Sequence, residues 1–178
     1  MSGSAPPPAD LLRALYEEHA AELLLFLRRL LGERAAAEDA LQETFLRLHG
    51  ALERLEPGRP ARPYLLRVAR NVGIAALRRH RKLLALEDAA PAASAGPGPA
   101  HEVAASEARG LVREALAALP PEPRAALVLR HHHGLRVREL AEVLGASERT
   151  ARSRLRDAAA LLEGELRRRG LFDTEERS

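Results

Sequence analysis

From Glu87 to Glu107 the chain reads EDAAPAASAGPGPAHEVAASE, and large apolar side chains almost vanish. Such a stretch cannot bury enough surface to offset the entropy of ordering it, so it reads as a flexible linker. The 178-residue chain must therefore fold as two pieces, each with only a modest core. The reading gives a disordered lead over 1–9, a helical domain over 10–84, a linker over 85–105, a second helical domain over 106–170 and a tail over 171–178.

Both pieces read as helical. Leu and Ala dominate, aromatics are scarce and no long β-branched run occurs. Asp10 can cap a first helix whose stripe is Leu12, Leu15, His19, Leu23, Phe26 and Leu30, ended by Gly32. A second helix runs from about Ala35 to Leu55, with Leu41, Phe45, Leu48, Leu52 and Leu55 on its buried side, and EPGRP breaks it. Beyond the linker, EARGLVREALAAL stops at Pro120 and Pro121, and EPRAALVLRHHH closes at Gly134. RVRELAEVLG ends at Gly145, and the last helix begins at a Ser147 cap with Glu148 in its first turn. The fold class is all-α, two small helical domains joined by a flexible linker.

Charge is distributed unevenly. The net charge is only +3, yet Arg62 to Lys82 carries seven Arg or Lys residues and no acid. Lys82 is the only lysine of the chain. Arginine suits bidentate phosphate and base contacts, although a GC-rich coding bias gives the same preference. On this third helix of the first domain, Leu65, Val68, Ala69, Val72 and Ala76 form the inward stripe. Arg67, Arg70, Asn71, Ile74, Arg78 and Arg81 form an outward one. A solvated face usually includes acids, and a membrane-surface helix needs a free apolar face, so the pattern favours nucleic acid. The cations can follow a phosphate backbone while Asn71 and Ile74 meet bases.

In RELAEVLGASERTARSRL, Ala141 stands four residues before Gly145 and Ala151 six after it. A small residue, a tight turn and a buried anchor at this spacing describe a helix-turn-helix. On the last helix Ala151, Leu155, Ala158 and Leu162 face inward, while Arg149, Arg152, Ser153 and Arg156 face a major groove. On the second helix Asp39, Gln42, Glu43 and Leu46 share the side opposite the core, a docking patch for a protein partner.

AEDALQETFLRLH, then YLLRVARNVGIAALRRHRK, then LPPEPRAALVLR and GLRVRELAEVLGASERTARSRL, in that order, resemble the extracytoplasmic-function sigma factors of bacteria. The resemblance covers nearly everything outside the lead, linker and tail, and makes the two domains region 2-like and region 4-like. It implies a factor that binds core RNA polymerase and directs promoter-specific initiation, with Asp39, Gln42, Glu43 and Leu46 on the β′ clamp helices. The loop from about Glu56 to Pro63 and the basic helix would take the −10 element, through Arg62, Tyr64, Arg67, Arg70, Asn71, Ile74, Arg78 and Arg81. Ser147, Arg149, Thr150, Arg152, Ser153 and Arg156 would read the −35 element, with the domain also resting on the β flap. A roughly twenty-residue linker would span on the order of 70 Å when extended, enough to engage both sites at once. An anti-sigma factor is a further implied partner. Ala75 stands where the family usually has Asp, Tyr64 where Trp is common, and Ala151 where Val is common.

No catalytic constellation, cofactor loop or metal spacing is present, so neither an enzyme nor a cofactor is expected. His131, His132 and His133 point about 100° apart on a helix and do not converge on a metal. There is no cysteine, and MSGSAPPPAD lacks the features of a signal peptide, so a cytoplasmic protein without membrane insertion is expected. Two other readings stay open: a stand-alone helix-turn-helix regulator, and a sigma mimic that binds an anti-sigma factor without promoter DNA.

Overall fold

The computed structural model describes residues 8–52, 60–87 and 100–171. They form seven helices: α1 (Pro8–Leu31), α2 (Arg34–His49), α3 (Ala61–Glu87), α4 (Ala100–Ala118), α5 (Pro121–His131), α6 (Val137–Leu144) and α7 (Glu148–Arg168). Among the described residues all regular structure is helical.

Helices α1, α2 and α3 pack on one another through the leucine stripes. Leu23, Phe26, Leu27 and Leu30 of α1 meet Leu41, Phe45 and Leu48 of α2 and Leu65, Leu66, Ala69 and Val72 of α3, all buried. The Tyr16 and Phe45 rings add a tilted contact at 4.9 Å between centroids. Thr44, the polar exception on α2, is buried and satisfies its hydroxyl by donating to the Ala40 carbonyl at 2.7 Å.

The core does not stop at the end of the first domain. The same contiguous cluster runs into Val128 and Leu129 of α5, Leu135, then Leu140, Ala141, Val143 and Leu144 of α6, and Ala151 of α7. A smaller cluster of Leu119, Leu127 and Ala158, flanked by Leu116 and Leu162, ties α7 to α4 and α5. The two helical domains are thus laid against each other with α3 between them, touching α1 and α2 on one side and α5 and α6 on the other.

Several boundaries differ from the sequence reading. α1 begins at Pro8, so Asp10 lies in the first turn, where its charge favours the helix dipole, rather than at the cap. α2 ends at His49, and Leu52 is buried in the short turn that follows; Leu55 lies outside the described residues. α3 continues to Glu87 and α4 starts at Ala100, so residues 85–87 and 100–105, read as linker, are helical. The Ala and Glu content of HEVAASEA has enough helix propensity to extend α4 backwards. Of the expected linker, residues 88–99 lie outside the described set.

The close approach of α1 and α3 is made at Gly73. A Cβ there would lie 2.5 Å from Leu30 Cδ2 and 3.2 Å from Leu27 Cδ2. Both leucines are fully buried and have no room to move away. Gly73→Ala should therefore lower stability by about 1–2 kcal/mol, overpacking outweighing the helix-propensity gain. Urea denaturation measures it, and an unchanged or raised midpoint would mean that the leucines repack.

Candidate nucleic-acid interface

The turn between α6 and α7 has the geometry that the sequence predicts. Gly145 adopts φ 61° and ψ 42°, left-handed values that a side chain rarely tolerates. The Ala146 amide bonds back to the Ala141 carbonyl at 3.0 Å. Ser147 caps α7, its Oγ accepting from the Thr150 amide at 3.1 Å and lying 2.9 Å from the Thr150 hydroxyl. Ala151 and Ala158 are fully buried beneath the helix, with Leu155 and Leu162 partly so. Ser147, Arg149, Thr150, Arg152 and Arg156 are exposed, and Ser153 is half-buried. The helix thus turns one apolar side to the domain and a cationic side to solvent. Arg152 is restrained only by an exposed pair with Glu148 at 3.0 Å, a contact worth little in water.

On α2, Ala37, Ala40, Leu41, Thr44, Phe45 and Leu48 are buried, whereas Asp39, Gln42 and Leu46 are exposed. Leu46 is 69% exposed, the largest value among the exposed large apolar residues. Glu43 is half-buried and pairs with Arg47 at 2.7 Å. The four residues form one patch on the side away from the core.

α3 departs from the expected picture. Ile74, assigned to the outward stripe, is buried in the core at 6% exposure. Tyr64 is partly buried against the same core rather than presented as a free ring. The reason is that α3 packs on two sides. The periodicity identifies one apolar stripe, but the second domain covers part of the opposite face.

The cations of that face are engaged by neighbours. Arg62 donates from Nε and Nη2 to Glu22 of α1 at 2.6–3.1 Å, and from Nη2 to the His133 carbonyl at 3.5 Å. Its Nη1 lies 3.8 Å from Glu139 of α6. Arg67 lies over the α6–α7 turn, where a Cβ at Gly145 would come within 3.2 Å of Arg67 Nη2. Arg78 pairs with Glu122 of α5, and Arg81 donates to the Leu119 carbonyl. Arg70 is half-buried, donates to Asn71 Oδ1 at 3.0 Å and has no acid bonded to it. Burial lowers its pKa, with the Glu122 charge opposing and Arg154, Arg67 and Arg78 adding to the fall. Asn71 remains exposed.

Three residues that the sequence reading missed complete the junction. Glu22 is held below the ordinary carboxylate range: burial pulls it up, but the hydrogen bonds and charges of Arg62 and His133 outweigh that. His133 sits between Glu22, 3.5 Å from its Nδ1, and the edge of Phe26, at 5.6 Å between ring centroids. Arg124, 5% exposed, donates to the Arg29 carbonyl in the last turn of α1 at 3.3 Å. Burial, helped by the charge of Arg81, pushes its pKa down to about 10. No local motif marks Glu22 or His133, because their partners lie far away in the chain. An arginine set directly before the apolar run AALVL, at Arg124, is the one legible signal. Arg124 Nε, Arg70 Nε and His133 Nε2 are buried without a hydrogen-bond partner, each at a cost of about 1–3 kcal/mol. All three lie where the domains meet.

The Sigma-70 region 2 family model matches residues 15–83, and the Sigma-70, region 4 model matches residues 109–162. The chain is 38% identical over 163 residues to the ECF RNA polymerase sigma factor SigL of Mycobacterium tuberculosis, covering 91% of this chain and 92% of that one. The chain belongs to the ECF sigma factors. It is also 35% identical to the RNA polymerase sigma factor CarQ of Myxococcus xanthus, across 82% of this chain and 83% of that one. Among solved structures, the fold is similar to the sigma factor RpoE in a complex with the anti-sigma factor NepR from Bartonella quintana, with TM-score 0.66, 23% identity and 89% and 97% of the two chains covered. It is likewise similar to CnrH in complex with the cytosolic domain of CnrY, with TM-score 0.61, 23% identity and 94% and 91% covered. As an ECF sigma factor the chain binds core RNA polymerase and directs promoter-specific initiation through −10 and −35 recognition. Sigma factors are non-enzymatic initiation factors. No helix among the described residues is long and apolar enough to cross a membrane, and the described His, Asp and Glu residues form no group able to hold a metal.

Burial is the largest influence on His133 and lowers its pKa; the hydrogen bond and charge of Glu22 oppose it, while Arg29 and Arg62 add to it. The closed packing therefore favours neutral His133. It is undisturbed above the ordinary histidine value of about 6.5 and weakens as pH falls from there toward the lowered value. Glu22 stays ionised across that window, because Arg62 holds it low. Hydrogen exchange of α6 amides at pH 7.5 and 5.5, corrected for intrinsic rates, should show faster opening at the lower pH. His133→Gln should remove most of the difference; an unaltered pH response in that variant would assign it to another group.

Proposed function

We propose that the exposed α2 patch, the basic face of α3 and the cationic side of α7 divide the work of initiation among themselves. Asp39, Gln42, Glu43 and Leu46 dock on the β′ clamp helices of polymerase, Leu46 supplying the apolar anchor and the acids its orientation. Arg62, Tyr64, Arg67, Arg70, Asn71, Arg78 and Arg81, with the loop from about Glu56 to Pro63, take the non-template strand of the −10 element. Ile74, buried in the core, supports that helix from within. Ser147 and Thr150 hold the N-terminus of α7 at the duplex, and Arg149, Arg152, Ser153 and Arg156 read the −35 element while the domain rests on the β flap. The domains divide at the stretch between α3 and α4, region 2-like before it and region 4-like after it.

The observation that carries this reading is the separation on α7 of a buried Ala151–Ala158 side from an exposed Arg149–Arg152–Arg156 side. An arginine on a guanine edge contributes about 1–3 kcal/mol of discrimination. An anti-sigma factor is a further partner. RpoE, whose fold this chain shares, was solved with the anti-sigma factor NepR, and CnrH with the cytosolic domain of CnrY.

Run-off transcription with sigma-free core polymerase and genomic fragments tests the assignment. The purified protein should give discrete start sites, whose aligned upstream sequences define both elements. Arg152→Ala should cut −35-dependent initiation about 5- to 100-fold without weakening core binding. Leu46→Arg should abolish core binding while leaving the thermal midpoint close to that of the parent. Core binding with no initiation from any fragment would favour a sigma mimic, and duplex binding without core binding a stand-alone regulator.

A further inference from the structure

We infer that the cavity walled by α1, α4 and α5 is a binding site for a single-chain amphipathic anion, a carboxylate or phosphate head on an aliphatic chain. The cavity shares no residue with the α2 patch, the basic face of α3 or the cationic side of α7.

The cavity has a volume of about 980 Å³, within the range of small-ligand sites. Its apolar part is aliphatic, built by Leu25 of α1, Val112 and Leu116 of α4, and Val128 of α5. Among the described residues the lining has no Phe, Tyr or Trp, no hydroxyl and no side-chain amide. A purine or pyrimidine would find few stacking or hydrogen-bonding partners there. A hydrocarbon chain needs neither, and methylene groups gain by leaving water for such a surface.

The polar part of the lining is one-sided: six arginines and a single acid, Glu33. Arg28 and Arg29 lie in the last turn of α1, Arg34 begins α2, Arg109 and Arg113 come from α4, and Arg124 from α5. Among the described residues only Arg34 has a carboxylate partner, Glu38 at 2.7 Å, and Arg29 contacts His132 instead. Arg124 decides the charge of the ligand. It is 5% exposed, yet its one hydrogen bond goes to the Arg29 carbonyl and its Nε has no partner. Buried charges are ordinarily paired, and this one has no counter-ion. An anionic head supplies it, and carboxylate and phosphate both match the planar arginine fork.

Other occupants match only one part of the cavity. An inorganic anion would answer the arginines but leave Leu25, 44% exposed, in water. A neutral apolar molecule would cover the leucines and leave Arg124 without a counter-ion. Residues 88–99, between α3 and α4, hold one acid and no large apolar side chain, so this chain's own connecting stretch matches neither part.

Isothermal titration calorimetry of the full-length chain with laurate and with dodecyl phosphate, both below their micellar concentrations, tests the site. At least one should bind saturably at one site per chain. The uncharged 1-dodecanol, with the same chain length, should bind weaker by about tenfold or more. Tighter laurate assigns a free fatty acid, and tighter dodecyl phosphate a lipid with a phosphate head. Arg113→Glu and Leu25→Glu, both at exposed positions, and Arg124→Gln should each weaken binding by about tenfold or more. Arg79→Glu, an exposed position on α3 outside the cavity, should leave it within about twofold. Should Arg124→Gln fail to fold, the two exposed substitutions decide. Equal affinity for 1-dodecanol, several sites per chain, or an equal loss in Arg79→Glu would overturn the site. So would the absence of saturable binding by either anion; saturable binding of an acidic amphipathic peptide in its place would give the cavity to a partner helix.

Discussion

The pairing of Arg62 with Glu22 fixes the start of α3 against α1, and the rest of the junction is arranged around it. Two guanidinium nitrogens of Arg62 are committed to one carboxylate, which holds the first turn of α3 against α1. The remaining contacts of the same side chain reach Glu139 and the His133 carbonyl of the second domain. One arginine thereby aligns a helix within its own domain and registers the other domain against it. Because the pair is half-buried, removing Glu22 would leave a cation with poor hydration at the junction, which costs more than the pair itself contributes.

Apolar burial and polar frustration pull this junction in opposite directions. A continuous hydrophobic cluster through α1, α3, α5 and α6 favours closure. Three buried nitrogens without partners, each worth about 1–3 kcal/mol, oppose it, as does the concentration of guanidiniums around Arg70. Leu23, Phe26, Leu27 and Leu30 of α1 are at most 1% exposed, with the edge contact of the His133 ring on Phe26 the polar exception.

Much of this was legible in the sequence, because helix periodicity reports which side of a helix is apolar. The stripes of α1 and α2, the Gly145 turn, the Ser147 cap and the inward Ala151 and Ala158 all follow from spacing and residue type. What periodicity does not report is how many neighbours a helix has. α3 is flanked on two sides, so Ile74, grouped by angle with the arginines, is buried instead. The same limit hid Glu22, His133 and Glu139, whose partners lie in other helices. The start of α4 was missed for a different reason: an alanine-rich segment has helix propensity without the large apolar residues that mark a core-facing stripe. The closeness of α1 and α3 at Gly73 had no local signature beyond the glycine itself.

The near-exclusive use of arginine, with Lys82 the only lysine, has more than one cause. A GC-rich coding bias would enrich arginine everywhere, and the exposed i,i+4 pairs such as Arg13–Glu17 and Arg34–Glu38 require no other explanation. On α3 the demand is stricter. Arg62 grips a carboxylate with Nε and Nη2, reaches a carbonyl with the same Nη2 and approaches a second acid with Nη1, a geometry that a lysine ammonium cannot reproduce. A side chain that holds several acceptors at once needs a planar fork. It must also stay charged when half-buried, as Arg70 is, and guanidinium keeps its proton there more readily than ammonium does. Coding bias can supply the arginines, but the two-sided packing of α3 makes arginine the residue that works at these positions.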